Sequence, residues 1–182
     1  MKLVDPIRDK SKIDEIRAIL KKQSERNWFL FSLGISTGLR ISDLRVLKVR
    51  DVFDRTHIHI NEQKTGKKKR VPLNSSVMKI IEEYTKKMDE DEYLFKSRQG
   101  NKPLERNQCG NIISNAGKKI GLDGLGTHSL RKTFGYHHYQ QYKDIAILMT
   151  IFNHSSQAVT MRYLGIEQDE IDESLKGFNL LS

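Results

Sequence analysis

The chain has 182 residues, of which 37% are hydrophobic, and its 32 Lys and Arg against 23 Asp and Glu give a net charge of +9. This length suits one well-packed domain with a single core and is short for two. The basic excess favours an anionic partner, with nucleic acid first. The single cysteine, Cys109, excludes an internal disulfide and a thiolate zinc cluster and predicts a packed free thiol in a reducing compartment. No apolar run approaches membrane-spanning length and no signal-peptide pattern opens the chain, so we expect a cytoplasmic protein.

The first part of the chain predicts helices. Apolar residues recur at helical spacing from Ile13 to Leu20, and a nearly all-apolar segment runs from Trp28 to Ile35 and ends near Gly38. A short third helix is expected from about Ser42, with its leucines facing inward.

After Val52 the apolar period changes from helical to alternating. Isoleucines alternate with histidines in His57–Ile60, and the segment Val71–Leu73 follows the lysine-rich stretch Lys64–Arg70. The pattern predicts a small antiparallel sheet with a basic hairpin. It places the two histidines on the exposed face of a strand, which accounts for the pair better than a metal site does.

Helices are predicted again after the sheet. Asn74 or Ser75 can cap a helix that carries apolar residues as far as Tyr84. Pro103 is expected to open the next helical region, and Gly121 to end it.

The C-terminal part predicts a helix from near His128 or Ser129, then two short helices over Asp144–Phe152 and Ser156–Tyr163. The tail Glu167–Lys176 is acidic and amphipathic. Its apolar side chains, and those just beyond it, need a surface to pack on: Ile171, Leu175, Phe178, Leu180 and Leu181. The chain contains no repeat, no low-complexity segment and no domain linker.

Three segments carry residue types that suit phosphodiester chemistry. Arg40 follows a glycine at the mouth of a helix, His128-Ser129-Leu130-Arg131 supplies a histidine and a second arginine, and His154 precedes Tyr163 by nine positions. Two guanidinium groups match the charge of a five-coordinate phosphate. Tyrosine has an unperturbed pKa of about 10, so it becomes a nucleophile only when positive charge or a base helps to remove its proton. Each segment alone has ordinary explanations, such as a surface ion pair.

Together with Lys64-Thr65-Gly66-Lys67, and in this order, the three segments resemble the catalytic domain of the tyrosine recombinases, the phage-type integrase family. The resemblance spans nearly the whole chain and implies an α+β, mainly α fold, a helical catalytic domain with a small antiparallel β-sheet. The catalytic residues that it implies are Arg40, Lys64, His128, Arg131, His154 and Tyr163. Asp43 falls where the family has an acidic residue that supports the first arginine.

The chain departs from the family pattern at two places. Phe152-Asn153 stands where Leu-Gly commonly precedes the second histidine, and Lys132 stands where a histidine often follows the second arginine. Neither departure falls on a catalytic position.

The resemblance also implies a mechanism, in which Tyr163 cleaves a DNA strand and forms a 3′-phosphotyrosyl bond and a free 5′ hydroxyl. The implied roles are charge stabilisation at the phosphate by Arg40 and Arg131, a hydrogen bond to it from His154, proton acceptance by His128 and protonation of the leaving oxygen by Lys64. Because the bond energy is retained, no metal, ATP or other cofactor is expected. The sequence has neither a phosphate-cradling Gly-rich loop nor a tight carboxylate cluster for two metal ions.

Alternatives remain open for several residues. Lys64 belongs to a lysine-rich run of the kind that usually forms a solvated hairpin, and Lys67 is its nearest substitute as the acid. The tyrosines and histidines of 136–142 are interpreted as packing and surface residues, and the tyrosines are rival nucleophiles only without the resemblance. Further basic residues are charged candidates for phosphate contact: Arg45, Arg50, Arg98, Arg106 and Lys118.

We expect residues 1–182 to form one tyrosine recombinase catalytic domain, with the family's N-terminal core-binding domain absent, in either a natural one-domain protein or a fragment. The expected partner is double-stranded DNA, on which a free monomer assembles, to a tetramer, with the tail packed on a neighbouring subunit. The expected reactions are integration, excision or resolution of mobile DNA. The alternatives are a non-catalytic DNA-binding module and a nicking-closing enzyme like a type IB topoisomerase.

Overall fold

A computed structural model describes residues 4–176 and 178–179, without the side chains of residues 167 and 168. In this part of the chain the elements follow in this order: α1 (Lys10–Gln23), α2 (Glu25–Thr37), α3 (Ile41–Leu44), β1 (His57–Asn61), β2 (Lys68–Pro72), α4 (Ser75–Thr85), α5 (Arg106–Lys118), α6 (Thr127–Tyr142), α7 (Ile145–Phe152), α8 (Gln157–Leu164) and α9 (Ile166–Lys176). The predicted fold class, mainly helical with a small antiparallel sheet, is confirmed.

β1 and β2 form the antiparallel hairpin. Ile58 lies opposite Val71, and both are buried, whereas His59 on the other face is exposed. Successive side chains of a strand point to opposite faces, so this pair sets the inward face of both strands. Beyond the turn end of the ladder the same face continues to Glu62 after β1 and to Lys67 before β2.

Side-chain caps fix the starts of four helices, the first of them α1, where the Asp9 side chain accepts a hydrogen bond from the Ser11 amide. The Asn74 side chain accepts a hydrogen bond from the Val77 amide and begins α4, and Asp144 and Ser156 cap α7 and α8 in the same way. Such oxygens satisfy amides that have no partner inside the helix. Of the two caps that the sequence allowed for α4, Asn74 is therefore the one used.

The predicted helix start at Pro103 is wrong, because α5 begins at Arg106. Pro103 pairs with Lys96 in an isolated antiparallel bridge, and the amide of the next residue, Leu104, donates to the Phe95 carbonyl at 2.8 Å. The chain is therefore extended up to the N-terminal cap of α5. The bridge is formed with Lys96, which lies outside the helical segment, and the pattern that predicted the helix carries no sign of this pairing.

The buried apolar residues form two separate clusters. The main core includes residues of α1, α2, α4, α5 and the hairpin, and it contains Cys109 as the packed free thiol that the sequence predicts. The smaller cluster is defined by Tyr139, Leu148, Phe152, Leu164 and Ile166. α6 joins the two, since Leu130 near its start lies in the main core and Tyr139 near its end lies in the smaller cluster.

α6 comes very close to α7 and α8 at Gly135. A Cβ at this position would lie 2.6 Å from both Phe152 Cζ and Leu164 Cδ2. Only glycine permits such an approach. Because Arg131 lies four residues earlier, on the same face of α6, the approach brings α7 and α8 up to that arginine.

α9 packs on the rest of the chain through its first turns. Ile166 is buried, Asp169 forms an ion pair with Arg8, and the Tyr139 hydroxyl donates to Glu170. The apolar residues farther along are exposed: Ile171, Leu175 and Phe178. The other two apolar residues of the tail, Leu180 and Leu181, lie outside the described residues. Across the described part of the chain, no helix combines the length and the apolar character needed to cross a membrane.

Candidate active site

Arg131 lies at the centre of the site. Its side chain projects from α6 and only 3% of the residue is exposed. Nη1 donates to the Gly38 carbonyl at 2.5 Å, and Nη2 donates to the Phe152 carbonyl at 3.3 Å. The positive charge of the guanidinium also acts to lower the pKa of Tyr163. Burial and then the charge of Arg40 lower the pKa of Arg131 to about 10, so it stays charged at neutral pH. One fixed cation thus binds the end of α2 and the end of α7, and its charge acts on the predicted nucleophile.

Arg40 lies at the N-cap of α3, immediately after the turn that ends α2. Gly38 makes this turn in the left-handed region with φ 60°, where a side chain would be strained and would collide with Phe134. Arg40 Nη1 forms an ion pair with Glu62 Oε1 at 2.6 Å, and its Nη2 lies 3.5 Å from the Phe152 carbonyl. The two arginines therefore converge on the same carbonyl from two different elements.

Glu62, and not Asp43, is the direct partner of Arg40. Asp43 Oδ1 instead accepts a hydrogen bond from the Gln63 amide at 2.9 Å and so holds the chain next to Glu62. Glu62 is 4% exposed; burial opposes its ionisation, but hydrogen bonds from Thr65 and Arg40 outweigh burial and lower its pKa. Our sequence reasoning missed Glu62. The signal was present, because the strand alternation that buries Ile58 also turns residue 62 inward.

His154 follows the C-terminal turn of α7. Asn153 ends that helix in the left-handed conformation, with φ 54°, which asparagine tolerates better than most residues. His154 Nδ1 lies 3.1 Å from the Thr160 hydroxyl oxygen, and this fully buried threonine orients the ring. Burial, Arg131 and Arg40 all lower the pKa of His154. Thr160 was not predicted, since a threonine inside a helix carries no sign of what its hydroxyl touches.

Tyr163 projects from α8 into this group. Its ring centroid lies 5.1 Å from that of His154 and 5.6 Å from that of Phe152, and Lys132 Nζ lies 5.1 Å from the Tyr163 centroid. Burial raises the pKa of Tyr163, while Arg131 and Arg40 act to lower it. The phenol is therefore neutral at pH 7, with cations already beside it.

His128 and Lys64 lie at the rim. Both are exposed, His128 in the first turn of α6 and Lys64 in the turn between β1 and β2. Among the residues that the structure describes, neither has a hydrogen bond to the other four predicted site residues. Their nearness to the group is seen in the pKa of His128. Burial lowers this pKa, and the charges of Arg106, Arg131, Lys132 and Lys64 lower it further. The structure thus brings Arg40, Arg131, His154 and Tyr163 into contact and leaves these two exposed beside them.

Two further lysines connect the hairpin to the end of α7. Lys67 Nζ donates to Asn153 Oδ1 at 2.8 Å, and Lys69 Nζ donates to the Ile151 carbonyl at 2.8 Å. Carbonyls at a helix C-terminus carry partial negative charge and attract cations. The last carbonyls of α7 therefore collect Lys69, Arg131 and Arg40 at one point.

Three of the other candidate residues have partners outside the site. His137 bonds the Ile7 carbonyl, Arg45 donates to the Leu104 carbonyl at 3.0 Å, and Arg50 pairs with Asp91 at 2.5 Å. Within the described ranges, no three His, Cys, Asp or Glu side chains are grouped closely enough to hold a metal ion.

The chain is similar to known recombinases in sequence. The profile of the phage integrase family matches residues 8–170. The chain is 47% identical over 178 residues to the "probable integrase/recombinase YoeC" of Bacillus subtilis, covering 98% of both proteins. It is 28% identical over 173 residues to the tyrosine recombinase XerA of Pyrococcus furiosus, covering 93% of this chain and 60% of that relative. The chain thus spans about the whole length of one relative and three fifths of the other.

Solved structures show the same fold. The crystal structure of XerA recombinase superposes with a TM-score of 0.73 at 24% identity, covering 88% of this chain and 60% of that one. Lambda integrase residues 75–356, a dimer bound to a core site, gives a TM-score of 0.72 at 20% identity, covering 90% and 60%. Together with the family match over most of its length, these similarities show that the chain belongs to the phage integrase family, the family of the tyrosine-type site-specific recombinases.

Proposed function

We propose that the chain catalyses site-specific DNA strand cleavage and rejoining through a covalent bond between Tyr163 and a 3′ phosphate, without metal or ATP. One arrangement carries the proposal: Arg131 and Arg40 converge on the Phe152 carbonyl, and the charges of both act to lower the pKa of the phenol that would attack. A phosphate bound at this point would meet two fixed guanidinium groups and the nucleophile together.

The proposed steps use the residues around that point. Tyr163 Oη attacks phosphorus and gives its proton to His128, while Arg40, Arg131 and His154 hold the non-bridging oxygens. The bond from phosphorus to the 5′ oxygen breaks, and Lys64 protonates that oxygen. A 5′ hydroxyl from a partner strand then attacks the phosphotyrosine, which releases Tyr163 and reseals the DNA.

Double-stranded DNA is the proposed substrate. Lambda integrase and XerH, which share the fold, are described in complexes with DNA sites, and the net charge of +9 suits a polyanion. In line with the names of the relatives, we propose that the reaction serves integration, excision or resolution of mobile DNA.

We also propose that the protein is a monomer in free solution and self-associates on DNA, to a tetramer. The exposed apolar residues of α9 and beyond support this proposal, because an apolar stripe on a helix favours contact with another surface.

A covalent trapping assay tests the proposed chemistry. The protein and a Tyr163→Phe variant are incubated, with chelator present, with nicked duplexes that carry randomised sites, and adducts are read by denaturing gel and sequencing. We expect an adduct with the protein and none with the variant, since phenylalanine has no nucleophilic oxygen. DNA affinity should remain, within about threefold, because the substitution removes no positive charge.

Tyr142→Phe provides the matched control. Tyr142 is 61% exposed at the end of α6, so its variant should form the adduct as the unmodified protein does. An adduct that persists in Tyr163→Phe would contradict the proposed nucleophile. DNA binding without any adduct would indicate a non-catalytic binder, and adducts without site preference would indicate a nicking-closing enzyme.

A further inference from the structure

Lys69 occupies an unusual place for a lysine. Its neighbours Lys68 and Arg70 are exposed, whereas Lys69 lies on the inward face of β2, opposite Ile60 and two residues before the buried Val71. An apolar side chain would fill such a position without the cost of removing an ammonium group from water. The packing of the hairpin therefore does not explain why a lysine is here.

The charges around Lys69 make its position more costly. Burial and the guanidinium groups of Arg131 and Arg40 disfavour its charge, Glu62 and Asp43 favour it, and the balance lowers its pKa to about 8. Among the described residues, its ammonium group has one hydrogen-bond partner, the Ile151 carbonyl. The carbonyl of the next residue, Phe152, at the same end of α7, accepts from Arg131 and Arg40.

We propose that Lys69 is a positioning residue of the active site, which ties the hairpin that carries Lys64 to the α7 turn that carries His154. The inference rests on the proposed function, because Lys64 matters as a proton donor only if strand cleavage occurs.

Of the two segments that Lys69 connects, the hairpin is the one whose position depends on the Lys69 bond. The α7 turn is also held by the arginines at the Phe152 carbonyl and by its own backbone. In the described part of the chain, the side-chain bonds from the returning arm of the hairpin to that turn are those of Lys69 and the more exposed Lys67. Loss of the Lys69 bond therefore loosens the arm of the hairpin that follows Lys64 and displaces the Lys64 amine. The phosphate site stays in place because the arginines still hold the α7 turn.

Single-turnover cleavage of two substrates separates these roles. Both carry the site found by trapping, one with the ordinary 5′ oxygen at the scissile bond and the other with sulfur in its place. A thiolate leaves without an acid, since thiols ionise near a pKa of about 8.5 and alcohols far higher. The variants are Lys69→Met, Lys69→Arg, Lys68→Met as the exposed control, and Lys64→Met as the reference for loss of the acid.

We expect Lys69→Met to slow cleavage of the oxygen substrate roughly tenfold, a fraction of what a general acid contributes. On the sulfur substrate it should cleave at the rate of the unmodified protein, which also shows that the variant is folded. Lys69→Arg, which can still donate to the carbonyl, should recover most of the rate on oxygen, and Lys68→Met should match the unmodified protein on both substrates.

Two outcomes would overturn the inference: an undiminished rate of Lys69→Met on oxygen, or an equal loss on both substrates, which would place Lys69 in phosphate binding or in folding. If the unmodified protein forms no adduct with either substrate, the proposed function itself fails and the inference fails with it.

Discussion

At the scale of single residues, the pKa of Tyr163 reflects two opposing effects. Burial raises it, and Arg131 and Arg40 act in the other direction. An arriving phosphate adds negative charge close to the hydroxyl and weakens the help that the arginines give. The attack therefore requires a base to accept the proton, and the nearby residue that the family pattern offers is His128.

The protonation of His128 leads to a pH prediction. Burial and then the charges of Arg106, Arg131, Lys132 and Lys64 lower its pKa, so the ring stays neutral and able to accept a proton below the ordinary histidine value. Cleavage should fall only as the pH drops through this lowered pKa, which lies below about 6.5. Single-turnover rates measured from pH 5 to 8 would locate this acid limb.

Arg106→Gln provides the control for this prediction. It removes the neighbouring charge that contributes most to the shift, so the acid limb should move upward. His128 would be excluded as the base if the acid limb of the unmodified protein lay above the ordinary histidine pKa. It would also be excluded if Arg106→Gln left the acid limb unchanged.

Sequence reasoning found the residues whose functional groups the proposed reaction needs. It found the residues that hold them in place less readily. Arg40, Arg131 and Tyr163 stand out because the proposed reaction needs their functional groups, and the structure brings them together. Glu62 could have been found, since strand alternation turns it inward. Thr160 could not, because its role depends on how α8 packs against the turn before it.

At the scale of elements, the eight-residue helix α7 is unusual because cationic side chains gather at its C-terminal end. Its last two carbonyls accept bonds from Lys69, Arg131 and Arg40, and Asn153 turns the chain away in the left-handed conformation. This explains why asparagine can stand where the family commonly has glycine, since both residues tolerate that conformation.

The contact of α6 with α7 and α8 predicts the effect of Gly135→Ala. The added methyl group would lie 2.6 Å from Phe152 and Leu164 and must push the two helices away. We expect the free energy of unfolding to fall by roughly 1–3 kcal/mol, the usual range for overpacking. The adduct yield should fall further than stability accounts for, because α8 carries Tyr163. Urea unfolding and the trapping assay measure the two effects.

Gly110→Ala is the matched control, within α5. Its methyl group would meet only Thr127 Cγ2, at 3.8 Å, which is ordinary contact. Alanine is the better helix former, so this variant should be equally stable or more stable by up to about 1 kcal/mol, with unchanged adduct yield. Equal behaviour of the two variants would contradict the close packing at Gly135.

At the scale of the whole molecule, the sequence predicted the fold class and the order of elements because periodicity and turn residues are local signals. It did not predict the division of the apolar residues into two clusters. Ile113 of α5 lies in the main core and Leu148 of α7 in the smaller cluster, although each is simply an apolar residue within a predicted helix. Only the path of α6 between them decides which residues meet.

The exposed end of α9 predicts how the molecule assembles. We expect the mass of a monomer in free solution and a multiple of it, up to four, on a duplex that carries the site. Leu175→Glu, at a position 60% exposed, should abolish the larger species and leave single-subunit binding intact, because a charge disfavours burial between subunits. Light scattering coupled to gel filtration measures both.

Met78→Glu, on the exposed face of α4, controls for the added charge and should assemble normally. A tetramer without DNA, or assembly that tolerates Leu175→Glu, would contradict the prediction.

The two apolar clusters have a consequence for when the molecule can cut. Tyr163 packs on the smaller cluster, whereas Leu39, next to Arg40, lies in the main core. A unit held by few buried side chains opens at a lower free energy than the whole domain. Opening of the smaller unit would withdraw the tyrosine while the rest of the protein stays folded and bound. On the proposed mechanism, cutting then depends on a population: only the fraction of molecules in which the smaller unit is packed in place can break a strand.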